Sequence, residues 1–320
     1  MPSYSGIWTL SQQFQAVGQG TWTGIDGMFA IFALGYVAGG STTRNKYTYS
    51  GCVVSSGGAA TAASFYGSAA GNSIFGVFAL GNAASTKSIT RNKYTYSSCV
   101  VSAGGAATIA SQSGSAAGNS TVGIFALGDA SIFNRSDTRN KYTYSGCVVS
   151  AGGAATSASS YGAATGNSTV GIFALGYGGF SCCVPIYYNN RNKYTYSNCA
   201  VSNGGAATAA SYGGAATGNS TVGIFALGTV EGGGSVTTRN KYTYSGDVVS
   251  AGGAATTVSL YGSAAGNSTL GVFALGNTGT CSTTRNRYTY SGCVVAAGGA
   301  ATAASQGGSA ASNGILGITL

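Results

Sequence analysis

Apolar and polar residues alternate along this chain in a pattern that returns several times in nearly the same form. In the copy at residues 139–176, Tyr142 and Tyr144 fall on one side of a KYTYS run and polar side chains on the other, which predicts a half-buried strand. A short CVVS strand follows, then a stretch of small residues, and then TVGIFALG. This last run is apolar on both faces and predicts a strand buried on both sides. Each copy is therefore predicted to form four short antiparallel strands.

Copies of this unit begin at regular intervals, and their period indicates the architecture. The arginines that open them are Arg44, Arg91, Arg139, Arg191, Arg239 and Arg285. Four strands per unit at this period is typical of a β-propeller, in which each unit is one blade and small residues let the innermost strands approach the axis. The large residues Tyr142, Tyr144, Phe173 and Leu175 are predicted to lie between blades. The alternative is a β-solenoid or silk-like stack, whose coils are usually shorter and contain no internal hairpin.

The two ends of the chain are predicted to complete one blade together. Residues 2–10 align with the YTYSGCVVS region of the repeat, and a seventh copy runs out at residues 315–320. The sequence thus predicts an all-β, seven-bladed β-propeller of four-stranded antiparallel blades in one domain over residues 1–320. Blade seven would be shared by residues 1–10 and 305–320, so that pairing of the N-terminal and C-terminal segments closes the ring and removes free sheet edges. Six blades and a separate N-terminal arm is the alternative.

Two stretches resemble known proteins. IFALG at residues 172–176 is similar to the aliphatic and aromatic strand of kelch-type blades, with Leu in place of one Gly, and KYTYS resembles the strand that follows it. The Trp usual in the last strand of such blades is absent, and the resemblance implies a fold rather than an activity. Residues 4–22, YSGIWTLSQQFQAVGQGTW, resemble short GxWxLxxQ…GxW segments of bacteriophage virion proteins, and the KYTYS and GNST…GIFA elements are similar to repeats in phage and cyanobacterial genomes.

Charge is sparse and follows the repeat. Charged residues make up 6% of the chain, the net charge is +9, and most of the 14 basic residues occur as two per repeat. Each arginine that opens a copy, together with the basic residue two positions later (Lys46, Lys93, Lys141, Lys193, Lys241 or Arg287), would contribute to a cationic ring of twelve residues. Such a ring would attract an anionic cell-surface polysaccharide. The alternative is that Arg-Asn shapes the turn into the strand and that the charge only maintains solubility. Because the basic residues repeat with the architecture and do not gather in one groove, nucleic acid is not an expected partner.

The copies differ mainly in the loops between the IFALG glycine and the next Arg-Asn, so these loops should share one face. The longest is YGGFSCCVPIYYNN at residues 177–190, which carries Phe180, Tyr187 and Tyr188. Recognition usually lies in loops on a rigid scaffold, and exposed aromatic residues there favour a contact surface. The alternative is neutral sequence variation in a loop that tolerates substitutions. The candidate binding residues are Phe180, Tyr187, Tyr188, Arg44, Arg91, Arg139, Arg191, Arg239 and Arg285.

The composition argues against an enzyme. The chain has no histidine and only five acidic residues, so it lacks the usual acid–base pairs, His-based nucleophile activation and most metal ligand sets. The glycine-rich runs have no following GKS or GKT and are not phosphate loops. No cofactor or metal site is predicted. Five cysteines share one position of the repeat and are predicted to be buried apolar fillers without a disulfide framework; they are Cys52, Cys99, Cys147, Cys199 and Cys293.

These observations predict a non-enzymatic virion protein of the tail-fibre or head-decoration type. It would act in structure or host recognition, binding cell-surface glycans through loops on one face, with avidity from many similar weak sites. Its partners would be other virion proteins, anionic polysaccharide and further copies of the chain, without membrane insertion. A virion location, with release by lysis, fits the expected absence of a signal peptide and of a transmembrane segment. The alternatives are a bacterial lectin-like surface adhesin and a kelch-type protein-interaction scaffold.

Overall fold

The computed structural model describes residues 28–130 and 134–314, and every regular element in these residues is a β-strand. Most of the strands belong to six antiparallel sheets of four strands each, which confirms the prediction of four strands per unit. We number the sheets 1 to 6 around the molecule, and we call the strands of each sheet inner, second, third and outer.

The inner and second strands of each sheet form its central hairpin. The inner strands of sheets 1 to 6 are Ser309–Ser312, Ser68–Gly71, Ser115–Gly118, Ala163–Gly166, Ala216–Gly218 and Ser263–Gly266. The second strands, in the same order, are Phe29–Ala33, Phe75–Ala79, Val122–Ala126, Val170–Ala174, Val222–Ala226 and Leu270–Ala274. Alanine, serine, threonine and glycine make up the inner strands, and their small size lets neighbouring inner strands contact one another around the centre.

The third and outer strands complete each sheet toward the perimeter. The third strands are Arg44–Thr48, Arg91–Thr95, Arg139–Thr143, Arg191–Thr195, Arg239–Thr243 and Arg285–Thr289. The outer strands are Val53–Ser56, Val100–Ala103, Val148–Ala151, Val201–Gly204, Val248–Ala251 and Val294–Ala297. The second strands are buried on both faces, as their unbroken apolar pattern predicts, whereas the outer strands are largely exposed.

Sheet 1 combines strands from the two ends of the described chain. Its inner strand, Ser309–Ser312, pairs antiparallel with Phe29–Ala33, so that Ala311 lies opposite Ile31. The predicted blade instead joined residues 305–320 to residues 1–10. Residues 1–10 and 315–320 lie outside the described residues, and the pairing with Phe29–Ala33 was not part of that prediction.

Six hydrophobic clusters hold the sheets together, and each cluster lies between two neighbouring sheets. Between sheets 3 and 4, for example, Ile124 packs with Phe173 and Tyr194. The large residues thus lie between sheets as predicted. The clusters join sheets 1 and 2, 2 and 3, and so on to 6 and 1, and no interface in this cycle is missing among the described residues. The arrangement is consistent with a β-propeller-like fold.

Short strands in the connecting loops form smaller sheets. Their bounds are Ser64–Phe65, Asn82–Ala83 and Thr86–Lys87 in one sheet, Tyr177–Ser181 and Val184–Tyr187 in a second, and Ser211–Tyr212 and Thr229–Val230 in a third. The first and third of these sheets tie the loop after a second strand to the segment that precedes an inner strand. The second is a hairpin within one loop. The described residues include no helix that is long and apolar enough to cross a membrane.

Candidate ligand-binding face

Six residues that directly precede the inner strands form a closed ring of backbone hydrogen bonds. The ring members are Tyr66, Ser113, Tyr161, Gly213, Tyr261 and Gly307. Each N–H donates to the carbonyl of the preceding member at 2.6 to 2.8 Å, and Tyr66 N–H donates to Gly307 to complete the cycle. All six have left-handed φ angles between 54° and 70°. The same conformation in every repeat turns the N–H of one sheet toward the next, so this ring closes one end of the central space.

Three ring tyrosines meet at the centre of this face. The ring centroids of Tyr66, Tyr161 and Tyr261 lie 5.2 to 5.5 Å from one another. The alternate ring members are Ser113, Gly213 and Gly307, which leave the space that the tyrosine rings fill. A Cβ atom on Gly307 would lie 2.6 Å from Cδ1 of Tyr66. Large and small residues therefore alternate around the ring because only three side chains of this size fit there.

Behind the tyrosines, the inner strands enclose a cavity of about 140 Å³. Its lining consists of Ala, Gly, Ser, Thr and Asn side chains, without a charged residue among those described. At its far end, asparagine amides link one sheet to the next; for instance, Asn119 donates to the Ser168 carbonyl at 3.1 Å and Asn167 to the Ser220 carbonyl at 3.2 Å. Its polar groups are hydroxyls and amides, and none of the described lining residues is a carboxylate, a cysteine or a basic side chain.

A hairpin next to the ring presents further aromatic side chains. Its strands are Tyr177–Ser181 and Val184–Tyr187, and Phe180 on the first strand is 68% exposed. The Tyr187 ring stacks on Tyr212 with centroids 5.1 Å apart and planes at 17°. Tyr177 lies between Phe180 and Tyr187, 5.8 Å from each ring centroid. We call Tyr177, Phe180, Tyr187 and Tyr212 the aromatic patch.

The aromatic patch is continuous with the tyrosines at the centre. Tyr212 lies 6.2 Å from both Tyr161 and Tyr261, measured between ring centroids. On the opposite side of the centre, Phe65 lies 5.1 Å from Tyr66 and 5.6 Å from Tyr36. An unbroken series of ring contacts thus crosses the face from Tyr36 to Phe180. Since each ring is packed against the next, the aromatic side chains of this surface are held in fixed orientations.

Polar groups border the patch. The Arg135 guanidinium lies over the Tyr177 ring, 4.4 Å from its centroid, and its Nε is 3.9 Å from the Asp129 carboxylate. Burial, followed by the neighbouring rings of Tyr212 and Tyr177, raises the pKa of Tyr187. Its hydroxyl therefore remains protonated at neutral pH and can both donate and accept hydrogen bonds. The patch combines apolar ring faces with hydrogen-bonding edges.

The predicted loop residues have different positions. Phe180 and Tyr187 both belong to the aromatic patch. Tyr188 is half-buried: its ring lies against Gly178, and its backbone N–H donates to the Gly176 carbonyl at 2.8 Å. Tyr188 thus helps to fix the base of the hairpin, whereas Phe180 is exposed and the half-buried Tyr187 stacks on Tyr212.

The six predicted arginines are buried, with only 1 to 2% of each side chain exposed. Each Nη2 donates to the Oδ1 of an asparagine in the next sheet at 2.8 to 3.1 Å. Each guanidinium also lies over a phenylalanine ring of that sheet, 4.3 to 4.7 Å from its centroid. Burial lowers the pKa of all six to about 10, which leaves them charged at neutral pH. The arginines join neighbouring sheets, and because they are buried they do not present the cationic surface that was predicted to attract a polysaccharide.

The sequence analysis missed the central tyrosines and Tyr212. Their signal is an alternation of Tyr, Ser, Tyr, Gly, Tyr and Gly at the ring position, which is visible only when all copies are aligned. Comparison of the chain with protein-family models and with curated proteins found no match in either. Among the described residues, no three Cys, Asp or Glu side chains are grouped so that they could hold a metal ion.

Proposed function

We propose that the six sheets are the blades of a closed β-propeller and that this propeller is a non-enzymatic scaffold for glycan binding. The ring of Tyr66 and its five counterparts, the inter-sheet arginines and the pairing of Ser309–Ser312 with Phe29–Ala33 support a six-bladed closure. In this arrangement the chain uses one of its ends to complete the first blade, as ring closure requires.

The observation that carries the functional proposal is the aromatic patch on the face with the variable loops, in which Phe180 is exposed and the three tyrosines are half-buried. The flat apolar faces of sugar rings pack on aromatic rings, and tyrosine hydroxyls can hydrogen-bond the hydroxyl groups at their edges. Phe180 and the stacked pair of Tyr187 and Tyr212 provide such faces without requiring a deep pocket. Arg135 stands beside Tyr177 and would favour a glycan that carries carboxylate or phosphate groups.

The proposed setting is a virus particle, in which this chain serves as a tail-fibre or head-decoration component. This proposal rests on the resemblance of residues 4–22 to bacteriophage virion segments and on the sparsely charged surface. Many copies on one particle would convert weak glycan contacts into stable attachment. Mass spectrometry of density-purified particles from the source culture tests it, because a virion component is recovered at a fixed ratio to the major capsid protein. Recovery in the cell-envelope fraction alone would contradict it.

Glycan binding is tested with an array of bacterial surface polysaccharides. The full chain is compared with the double variant Phe180→Ala/Tyr187→Ala and with Val248→Ala, a control that truncates a residue 58% exposed on an outer strand. Stacking of a nucleic-acid base on an aromatic side chain contributes about 1 to 3 kcal/mol. Taking the packing of a sugar ring as comparable to the lower end of this range, we expect the double variant to lose at least about tenfold in binding. The control should bind normally. Equal binding by all three proteins would rule out the aromatic patch as the site.

A further inference from the structure

The repeat position that holds five cysteines holds Asp247 in the sheet 5 repeat, and the surroundings of this aspartate define a small anion site. Lys193 from sheet 4 contacts both carboxylate oxygens of Asp247, at 3.0 and 3.1 Å. The hydroxyl of Tyr242 donates to Oδ1 of the same carboxylate. One cation from the neighbouring sheet and one buried hydroxyl from the same sheet thus bind two oxygens of a single side chain.

The same two groups surround cysteine in other repeats. Lys93 Nζ lies 3.7 Å from Cys147 Sγ, Lys141 Nζ lies 3.8 Å from Cys199 Sγ, and Arg287 Nη1 lies 3.8 Å from Cys52 Sγ. All five cysteines at this position are half-buried, and three of them have a basic side chain beside the sulfur, which corrects the prediction of buried apolar fillers.

The tyrosine hydroxyl at each thiol is incompletely satisfied. Tyr142 and Tyr194 are fully buried, and their hydroxyls have no hydrogen-bond partner among the described residues, unlike that of Tyr242. Burial, and after it the neighbouring Cys147 thiol, raises the pKa of Tyr142, so this hydroxyl keeps its proton to donate. A thiol cannot occupy the site as a carboxylate does, because it lacks the two oxygens that the cation and the hydroxyl bind next to Asp247.

A cysteine sulfinate is the closest isostere of aspartate, since both carry an anionic group with two oxygens on one methylene. We propose that Cys52, Cys147 and Cys199 are sites of oxidation by hydrogen peroxide at which the fold stabilises the sulfinate. The basic side chain and the tyrosine hydroxyl that bind Asp247 in one repeat would bind the two sulfinate oxygens in the others.

The chemistry requires two equivalents of hydrogen peroxide per cysteine. The thiolate sulfur attacks one peroxide oxygen, an S–O bond forms, the O–O bond breaks, and the departing hydroxide takes the proton released by the thiol to give water. The sulfenate then reacts in the same way with a second peroxide to give the sulfinate and another water. Sulfur loses four electrons in total, and each peroxide accepts two.

The geometry also favours the first step. A cation beside the sulfur stabilises the thiolate, which is the reactive form. The neighbouring Tyr47 hydroxyl and, to a smaller extent, the Arg287 guanidinium lower the pKa of the Cys52 thiol, while burial opposes them. Cys182 and Cys183, at the exposed turn of the loop hairpin, are suitable reference thiols because no cation contact is found for either among the described residues.

The experiment treats the full-length protein with increasing hydrogen peroxide and measures the oxidation state of each cysteine by peptide mass spectrometry. In the wild-type protein, we expect Cys147 and Cys199 to stop at the sulfinate, whereas Cys182 and Cys183 form disulfides or proceed to the sulfonate. The variant Lys93→Met should lower the yield of sulfinate at Cys147 by about threefold or more, because the thiolate and the product lose their cation. Cys199 in the same protein is the control, since its partner Lys141 is unchanged.

The reciprocal variant Lys141→Met should affect Cys199 and leave Cys147 unchanged. The variant Cys147→Asp provides a second test, because it should have a higher melting temperature than Cys147→Asn only when Lys93 is present. Any of three results would overturn the proposal. Cys147 could be oxidised equally with and without Lys93, a covalent crosslink could form between these two residues, or the melting temperature of the Cys147→Asp protein could be independent of Lys93.

Discussion

Arg191 in sheet 4 donates a hydrogen bond from Nη2 to Oδ1 of Asn240 in sheet 5, at 3.1 Å, and both side chains are almost completely buried. The same asparagine oxygen accepts the Thr208 N–H, and the other guanidinium nitrogen donates to the Gly205 carbonyl at 3.0 Å. These acceptors of a buried cation are neutral oxygens, and each of the six interfaces repeats the Arg–Asn pair. Binding of the charge therefore depends on the asparagine, which also positions the chain around Thr208.

Removing the asparagine should cost more stability than removing the arginine. Asn240→Ala leaves the Arg191 charge buried without this acceptor and should lower the free energy of unfolding by about 3 kcal/mol. Arg191→Met removes the charge and keeps an apolar chain over Phe225, so it should cost only about 1 kcal/mol. Urea unfolding of both variants provides the comparison, with Asn189→Ala, at an exposed asparagine, as the control. The reverse order would mean that the arginine itself provides most of the stabilisation.

Gly307 should tolerate a side chain only when Tyr66 is made smaller. Ser113 occupies the equivalent ring position with a similar φ, 57° against 61°, so backbone conformation alone does not exclude serine at residue 307. The Tyr66 ring excludes a side chain at residue 307, because a Cβ atom on this residue would lie 2.6 Å from Cδ1 of Tyr66. We expect Gly307→Ser to destabilise the protein by about 2 kcal/mol through overpacking.

A double-mutant cycle measures this clash directly. In the Tyr66→Ala background, Gly307→Ser should cost about 1 to 2 kcal/mol less than in the wild type, because residues in contact couple. Ser113→Gly is the matched control and should differ from the wild type by less than about 1 kcal/mol. If Gly307→Ser destabilises both backgrounds equally, backbone strain and not the Tyr66 ring explains why residue 307 is a glycine.

Local sequence patterns predicted the strands, whereas the positions of the arginines and of the central tyrosines depend on contacts between repeats. The alternation around Tyr142 and the unbroken apolar run Val170–Ala174 were sufficient for the strands, since both depend on neighbours along the chain. The arginines were predicted to form a cationic ring open to a polysaccharide because they recur at one position of every copy. Their burial depends on a phenylalanine and an asparagine of the next repeat, and no local pattern shows how those approach. The central tyrosines likewise meet across repeats that are distant in sequence.

The pairing within sheet 1 illustrates the same limit. The inner strands are nearly identical in sequence, so the SAAS segment at Ser309–Ser312 could pair with any second strand on local grounds. Its pairing with Phe29–Ala33 depends on contacts with the next sheet, since Ala311 packs in the cluster between sheets 1 and 2.

Alkaline pH should destabilise the protein before its tyrosines ionise in the folded state. Burial raises the pKa of the second tyrosine in every repeat well above its ordinary value; these residues are Tyr49, Tyr96, Tyr144, Tyr196, Tyr244 and Tyr290. Burial raises the pKa of five first tyrosines as well; they are Tyr47, Tyr142, Tyr194, Tyr242 and Tyr288. Above about pH 10 the unfolded chain loses these protons and the folded chain keeps them, so stability falls as pH rises.

The buried arginines act in the opposite direction, because burial lowers the pKa of each and folding then favours the neutral form as pH rises. Because the tyrosines outnumber the arginines, the free energy of unfolding should decrease by about 5 kcal/mol or more between about pH 8 and about pH 11. Urea unfolding across this range measures it. Tyrosinate absorbance should increase together with unfolding; an increase in the folded protein would show that these hydroxyls reach solvent.

Truncation at the C-terminus distinguishes closure by Ser309–Ser312 from closure in a seventh blade. A chain that ends at Gly314 keeps this strand, together with the hydrogen bond of 3.0 Å that Tyr49 donates to Ser312. It should have the same melting temperature as the full chain. A chain that ends at Gly308 leaves Phe29–Ala33 without its partner and should melt about 10 °C lower or more. Thermal unfolding of the three chains gives the answer. If the chain that ends at Gly314 already shows the lower melting temperature, residues 315–320 supply a blade strand, and the seven-bladed arrangement is favoured.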